Sequence, residues 1–509
     1  MTFFGARVAI LPLLAQLVLL PAVDPSTESA QVCVVGAGIG GASFAYFLKQ
    51  YSCNSVDTPC FSDIHIFERR SNVGGRMATV TIAGDTFEAG ASIIHPKNLH
   101  AVRFASILGL RPKTESSEFR RDRNMSDLTT SWFGIWDGSQ FLFTTLPPPP
   151  SSSSALYRKI HSFINALRIF WRYGLSLLRM NLFVNKMVES FLLYYKGFES
   201  RPIFETVEEM LKWSGLYNGT RRTLKEELQD VGLSPLLISE LVTVMTRINY
   251  GQNVSISGLA GAVSLAGSND GLWSVDGGNW QLAAGLINYS NVTLHLEEEV
   301  VSIGYGEKHY VLSSAKGNSF NCEITVIATP LDELNITFIP SISIPRRRLQ
   351  HTFTTFVRGL LNPKYFGLSH GSEIPNLIGT LELPKIPFSS ISVLKKYGED
   401  DKVYKIFSRT PLPDGLLNEV FSSRKETIKI DWPAYPHFEA PEVFAPILLD
   451  GKHLYYINSF ENAASTIETS AVAAENVARL VVSRVSSLHL NMPSKKLQTR
   501  NQDLLHHEL

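Results

Sequence analysis

Nine residues, ERRSNVGGR from Glu68 to Arg76, put a carboxylate, bare backbone and a guanidinium within one short span. A carboxylate accepts hydrogen bonds from sugar hydroxyls, a glycine pair lets backbone close on an anion, and an arginine answers phosphate charge. Upstream, VVGAGIGG carries Gly36, Gly38 and Gly41 in a G-x-G-x-x-G spacing. In such a turn the first glycine permits a tight bend, the second lets backbone approach a pyrophosphate, and the third lets a helix pack on a strand. The helix N-terminus then faces the phosphates. Gly36, Gly38, Ile39, Gly40, Gly41, Glu68, Arg69, Gly74, Gly75 and Arg76 thus form one candidate set, suited to holding a dinucleotide.

These residues work only if particular elements position them. Val32–Val35 reads as a short buried strand, Ala42–Lys49 as a helix, and DIHIFE as a second strand ending in Glu68. A Gly-rich turn alone is weak evidence, because such turns also serve purely structural ends. Strand, turn, helix, strand and terminal acid together make the ribose-binding unit. Glu68 follows Gly41 by 27 residues, against about 20 counted from the fingerprint's start in the usual unit. The polar loop between Cys53 and Cys60 accounts for the excess. An acid at this position disfavours a 2′-phosphate, which argues against NADP.

The chain has 509 residues, too many for one compact core, so two domains are expected. Lys+Arg and Asp+Glu are both 47 and charged residues make up 18%, low against the usual ~25%. No basic face points to nucleic acid. The N-terminus reads as a signal peptide: Arg7 is its lone charge, Val8–Leu20 is nearly unbroken apolar sequence, and small residues follow. A buried strand or an uncleaved anchor is the competing reading. Sequons at Asn124, Asn218, Asn253, Asn288, Asn291 and Asn335 fit a glycoprotein of the secretory pathway. Of the four cysteines, Cys33 and Cys322 sit in apolar strands and read as inert core thiols. Cys53 and Cys60 close a loop and are placed to form a disulfide. No CxxC pair or His/Cys cluster suggests a metal site.

Gly74-Gly75-Arg76 in this position resembles the second pyrophosphate contact of the large FAD-dependent amine-oxidase-like flavoproteins. DTFEAGASIIH continues the resemblance; it implies that Glu88, Gly90, Ala91 and Ser92 lead the chain under the flavin ring. VTLHLEEEVVSI and CEITVIATP follow the same family pattern, and Val300 or Val301 is the implied adenine contact. Near the C-terminus comes a strand, then Glu461, then a helix from about Thr466 and Ile467. The resemblance implies that Glu461 helps hold the ribityl or phosphate region. The helix N-terminus then points at the flavin pyrimidine ring, where its dipole stabilises negative charge.

Between these pieces the sequence is less general. PPPPSSSS, 147–154, is a low-complexity loop. Residues 155–198 are helical and rich in Leu, aromatics and scattered Arg and Lys. Such a stretch can dock on a membrane or line a lipid-sized cavity; helices packed on a domain core with a solvated basic side fit equally. MTRINYGQN, AGAVSLAGSNDGLWSVDGGNWQL and DWPAYPHF, with GAGIGG, FEAGASIIHP and WRYGLSLLRM, closely resemble the prenylcysteine oxidases, also called prenylcysteine lyases. The resemblance runs from about residue 31 to 480. It breaks at the Pro/Ser loop and at the Cys53–Cys60 insertion.

That resemblance implies an α/β fold: a Rossmann-type FAD-binding domain with an interleaved, discontinuous α+β substrate domain. Signal peptide and lead-in would cover 1–30. The FAD-binding domain would take 31–100, 291–340 and 441–490, the substrate domain 101–290 and 341–440, and a tail 491–509. It also implies oxidation of a prenylcysteine thioether with non-covalent FAD, water and molecular oxygen, giving cysteine, a prenyl aldehyde and hydrogen peroxide. Trp273, Gly278 and Asn279 are candidates for shaping the cavity. His95 and His351 are the weak acid/base candidates, since lone histidines carry little information. Partners would be the prenylated cysteine, oxygen and a membrane met peripherally, with no nucleic acid. A related flavin amine oxidase or isoprenoid desaturase, and a catalytically inactive FAD-binding secretory protein, remain as alternatives. The expected destination is a lysosome or vacuole, with endoplasmic-reticulum retrieval through the terminal HHEL as the minor outcome.

Overall fold

The computed structural model describes residues 27–53, 60–113, 132–150, 152–196, 201–268, 271–306 and 308–490. Residues 1–26, Asn124 and the HHEL tail fall outside them; residues 27–30, expected to belong to the lead-in, instead open the first strand, Thr27–Val35.

Val32, Cys33, Val34 and Val35 are all buried, as a strand covered on both faces must be. Thr27–Val35 pairs in parallel with Ile64–Glu68 on one side and Ser319–Ile327 on the other. Thr293–Leu296 extends the sheet beyond Ile64–Glu68, and Leu454–Tyr456 adds in parallel to Ser319–Ile327. An antiparallel run of Val300–Tyr305, Tyr310–Ser314 and Ser319–Ile327 completes it, with Thr337–Ile339 at the edge. Eight strands, drawn from residues 27–68, 293–339 and 454–456, therefore build one sheet. The Ile39–Ser52 helix lies over it and packs against both the Trp280–Tyr289 and the Ile467–Leu490 helices.

A second sheet of seven strands runs in the order 421–436, 349–361, 401–408, 390–398, 377–380, 133–136 and 141–144. It is antiparallel except where Leu377–Thr380 runs parallel to Phe133–Trp136. The Ala78–Ile82/Asp85–Gly90 hairpin joins the two layers. Ile82, Phe87 and Ala89 pack in one core cluster with Phe356, Val403 and Trp432 of the second sheet. Among the described residues no helix is long and apolar enough to cross a membrane, and no group of His, Cys, Asp and Glu could hold a metal ion.

Two sequence readings of the cysteines part company here. Cys53 and Cys60 are bridged, as their loop suggested, with Cα atoms 4.3 Å apart. Cys33 and Cys322 are not free core thiols: they form a disulfide between neighbouring strands, Cα to Cα 5.8 Å. Each is buried on its strand; the register sets Cys33 beside Thr325 and Cys322 beside Ala30, so the bridge crosses the two strands on a diagonal. No free cysteine remains. Asn218, Asn288, Asn291 and Asn335 are exposed, and Asn253 is half-buried with its Oδ1 accepting from Ser255.

Candidate dinucleotide site and adjoining cavity

At the two ends of the first turn the glycines are there because nothing larger fits, whereas a Cβ on Gly38 or Gly40 would make only ordinary contacts. Gly36 has φ +111°, and a Cβ on it would stand 2.7 Å from the Ala328 carbonyl oxygen. A Cβ on Gly41 would stand 2.1 Å from the Gly36 oxygen, so the helix could not seat on the strand. Gly74, φ +112°, donates its N–H to Ala37 O at 2.9 Å and so ties the second glycine pair to the first turn.

Glu68 ends its strand buried beside this turn. Its Oε2 accepts from the Ala37 N–H at 3.1 Å and its Oε1 from the Arg70 N–H at 3.0 Å. Each oxygen keeps acceptor capacity for a sugar hydroxyl. The carboxylate is thereby locked across the mouth of the glycine turn.

Arg76 points to Glu461, Nη1 to Oε1 at 2.5 Å, and donates to the Ala434 carbonyl at 2.9 Å. Glu461 also accepts from Asn458 and Ser465 and lies 3.6 Å from Arg347. Burial opposes its ionisation; Arg76, then Arg347, outweigh that and hold its carboxyl down at about 2. Arg76 is thus first a partner of Glu461, and its part toward phosphate is shared with that carboxylate. Thr466 opens the last helix, its Oγ1 accepting from the Thr469 N–H at 3.0 Å, and Ile467 begins the regular turns.

A cavity of about 900 Å³ runs from this cradle into the second sheet. It brings together Gly36, Gly38, Ile39, Gly40, Glu68, Arg69, Gly74, Gly75, Arg76, Ala91, Ser92, Glu461, Thr466 and Ile467, with Trp273 and His95 further along. Beyond the cradle the walls are mostly apolar: Phe191, Leu259, Val263, Trp273, Trp432 and Tyr435. Tyr250 and Tyr435 meet edge to face, centroids 4.8 Å apart. The cradle suits a dinucleotide and the remaining volume suits an apolar ligand.

Several candidates lie elsewhere. Gly41 stands behind the turn as a packing residue. Val300 is buried among Cys33, Val35 and Phe67 in the sheet core and does not line the cavity. Asn279 and Gly278 sit one layer behind the cavity wall. Asn279 is fully buried, its Nδ2 donating to Ala91 O at 2.7 Å and its backbone N–H to Glu88 Oε1 at 2.7 Å. It braces the segment expected under the ring. His351 is also off the cavity, half-buried and paired with Asp431 at 2.8 Å. His95 does reach the cavity, half-buried, with Nδ1 accepting from the Lys97 N–H at 3.0 Å. Burial, then Lys97, pushes its pKa down, so it is neutral at pH 7.

Lys405 is the residue that sequence reading missed. Buried in the middle of the Asp401–Ser408 strand, it donates to Glu88 O and to Ser92 Oγ, both at 2.9 Å. A single lysine inside the otherwise apolar run VYKIF is the signal that was available. Glu88 below it is pushed up to about 7, chiefly by burial, against the Asn279 N–H and the charges of Lys405 and Lys113. Among the described residues Glu88 Oε2, Thr354 Oγ1 and Trp432 Nε1, all on residues lining the cavity, are buried without hydrogen-bond partners. Buried polar atoms of this kind ask for a ligand or water.

With this geometry in hand, known proteins decide the family. A sequence model of the prenylcysteine lyase family matches residues 156–492, and one of an NAD(P)-binding Rossmann-like domain matches 34–108. The chain belongs to the prenylcysteine lyase family. It is 57% identical to the farnesylcysteine lyase of Arabidopsis thaliana over 489 residues, covering 94% of this chain and 95% of that one. It is 33% identical to human prenylcysteine oxidase 1 over 484 residues, 89% of each. Among solved structures it resembles putrescine oxidase, TM-score 0.55 at 13% identity over 90% of this chain and 100% of that one. Cyclohexylamine oxidase from Brevibacterium oxydans gives TM-score 0.56 at 15% identity, covering 90% of this chain and 99% of that one. At these identities the structures speak for the fold alone.

Proposed function

We propose that this chain is an FAD-dependent oxidase that cleaves the thioether of a prenylcysteine, with oxygen and water, to cysteine, a prenyl aldehyde and hydrogen peroxide. The observation that carries the reading is one continuous cavity, dinucleotide cradle at one end and apolar wall at the other, in a chain of this family. FAD fits the residues: Gly36, Gly41 and Gly74 stand where a Cβ would collide with backbone, and Glu68 offers both oxygens to a ribose. When bound, the flavin would supply the two-electron oxidation.

The chain's own residues do the positioning. Gly36, Gly38, Gly74 and Gly75 admit the pyrophosphate, Glu68 takes the ribose, and Arg76 with Glu461 closes the far side. Asn279 and Lys405 hold the Glu88–Ser92 segment from opposite sides and fix the floor on which the prenyl C1 must lie. Trp273, Phe191 and Tyr435 enclose the isoprenoid tail and keep water low near it. His95, which lines the cavity and whose pKa burial pushes down, is the candidate to hold a water or take a proton. The enzyme takes the secretory route to a lysosome or vacuole, a reading supported by the apolar N-terminal stretch and the exposed sequons.

The test is product stoichiometry. Incubating purified holoenzyme with farnesylcysteine in air should give free thiol, aldehyde and peroxide in equal amounts. Peroxide without thiol would mean a different bond is being oxidised.

A further inference from the structure

The Ala155–Tyr173 helix is inside out. Its buried side chains are His161, Asn165, Ile169 and Tyr173, a single stripe spaced four apart. The stripe is pinned by polar bonds: His161 Nε2 donates to Pro147 O at 2.8 Å and Asn165 Oδ1 accepts from the Leu146 N–H at 2.8 Å. At 3.6 residues per turn the opposite side, about 180° away, carries Leu156, Ile160, Phe163, Leu167, Phe170 and Trp171. Leu156 and Phe163 are each 68% exposed and Trp171 is 82% exposed. A surface helix of a soluble protein turns its apolar face to the core. Here that face is turned to solvent.

The next helix, Ser176–Phe191, extends the same surface with Leu178 and Leu182, the latter 69% exposed. Charge is as lopsided as polarity. Between residues 155 and 191 stand Arg158, Lys159, Arg168, Arg172, Arg179 and Lys186 against one acid, Glu189, in a chain whose net charge is zero. Only Arg172 of these has an ion-pair partner among the described residues, Glu240. The same hairpin reaches the cavity: Met187, Val188 and Phe191 line it.

We infer that the 155–191 hairpin is the seat of this protein on an anionic phospholipid bilayer. Leu, Phe and Trp side chains enter the headgroup boundary, and the exposed Lys159, Arg168, Arg179 and Lys186 meet lipid phosphates. A second copy of the chain is a poorer occupant, since pairing two such faces would set cation against cation. Docked this way, the hairpin joins the bilayer surface to the cavity wall, so a lipid-tailed substrate need not cross bulk water. That last step rests on the prenylcysteine reading; the docking does not.

Co-sedimentation of the purified holoenzyme with vesicles tests it. Vesicles of phosphatidylcholine with phosphatidylserine should retain the protein, added salt should weaken retention, and pure phosphatidylcholine should bind less. F163E/W171E/L182E, with flavin content and circular dichroism unchanged, should bind at least about tenfold more weakly. If that variant does not fold, W171E alone is read in the same way. Equal retention of variant and parent overturns the inference, as does no retention of the parent. A parent that is dimeric in sedimentation velocity, with a monomeric variant and no vesicle binding by either, also overturns it, because a second copy then covers the face. Turnover of soluble farnesylcysteine is measured in parallel; its absence would fault the proposed reaction and leave the vesicle result standing.

Discussion

Arg76 and Glu461 come from opposite ends of the chain and meet at 2.5 Å. Their pairing closes the nucleotide cradle, since one follows the second glycine pair and the other precedes the last helix. Arg76→Met should cost roughly 3 kcal/mol, near the low end for breaking a buried pair because Arg347 still faces Glu461. Chemical denaturation reads it, and flavin content should fall in step.

The same carboxylate makes the fold acid-sensitive. Glu461 is held at about 2 against an ordinary 4.5, so between those values the unfolded chain takes up a proton that the folded chain refuses. Stability from this group is complete above pH 4.5 and is lost as pH falls toward 2. Glu88 works the other way: raised to about 7 from 4.5, it favours the folded chain below 4.5 and withdraws that support as pH rises to 7. Unfolding free energies of Glu461→Gln and Glu88→Gln across this range should lose the respective slopes. Unchanged slopes would show that the environments are misread.

Glu68→Gln should weaken FAD binding by roughly 1.5–3 kcal/mol, the worth of a hydrogen bond to a charged group. Flavin reduction in fully loaded variant should stay near the parent rate, because the residue serves the ribose and not the ring. Titration of apoprotein with FAD measures the first and stopped-flow mixing the second.

How much of this was legible in sequence depended on distance along the chain. The glycine turn, Glu68 and Gly74-Gly75-Arg76 could be read because their residue types are contiguous and each needs its chemistry locally. The lone lysine of VYKIF was visible but its role was not: Lys405 reaches Glu88 from 317 residues away, across two sheets whose juxtaposition no local pattern encodes. Asn279 read as a cavity residue and is a brace, because its side chain turns back to Ala91. The 155–198 stretch showed its composition but not its orientation, since a polar stripe facing inward reverses the usual rule.

The cysteines give a covalent check. Non-reducing peptide mapping should find Cys33 joined to Cys322 and Cys53 to Cys60. C33A/C322A should lose about 2–4 kcal/mol of stability. With every cysteine bridged, no thiol is available to bond a flavin, so acid precipitation should release the flavin into the supernatant. Flavin retained in the pellet would mean attachment through another residue.

The central claim is that a prenylated thioether, held on the Glu88–Ser92 floor, gives up electrons to the bound cofactor. Anaerobic mixing of flavin-loaded enzyme with farnesylcysteine tests it most directly. The visible flavin absorbance should bleach within a turnover and return on admitting air, while putrescine leaves it unchanged. Absorbance that persists with farnesylcysteine, or that bleaches with the amine instead, would contradict the account.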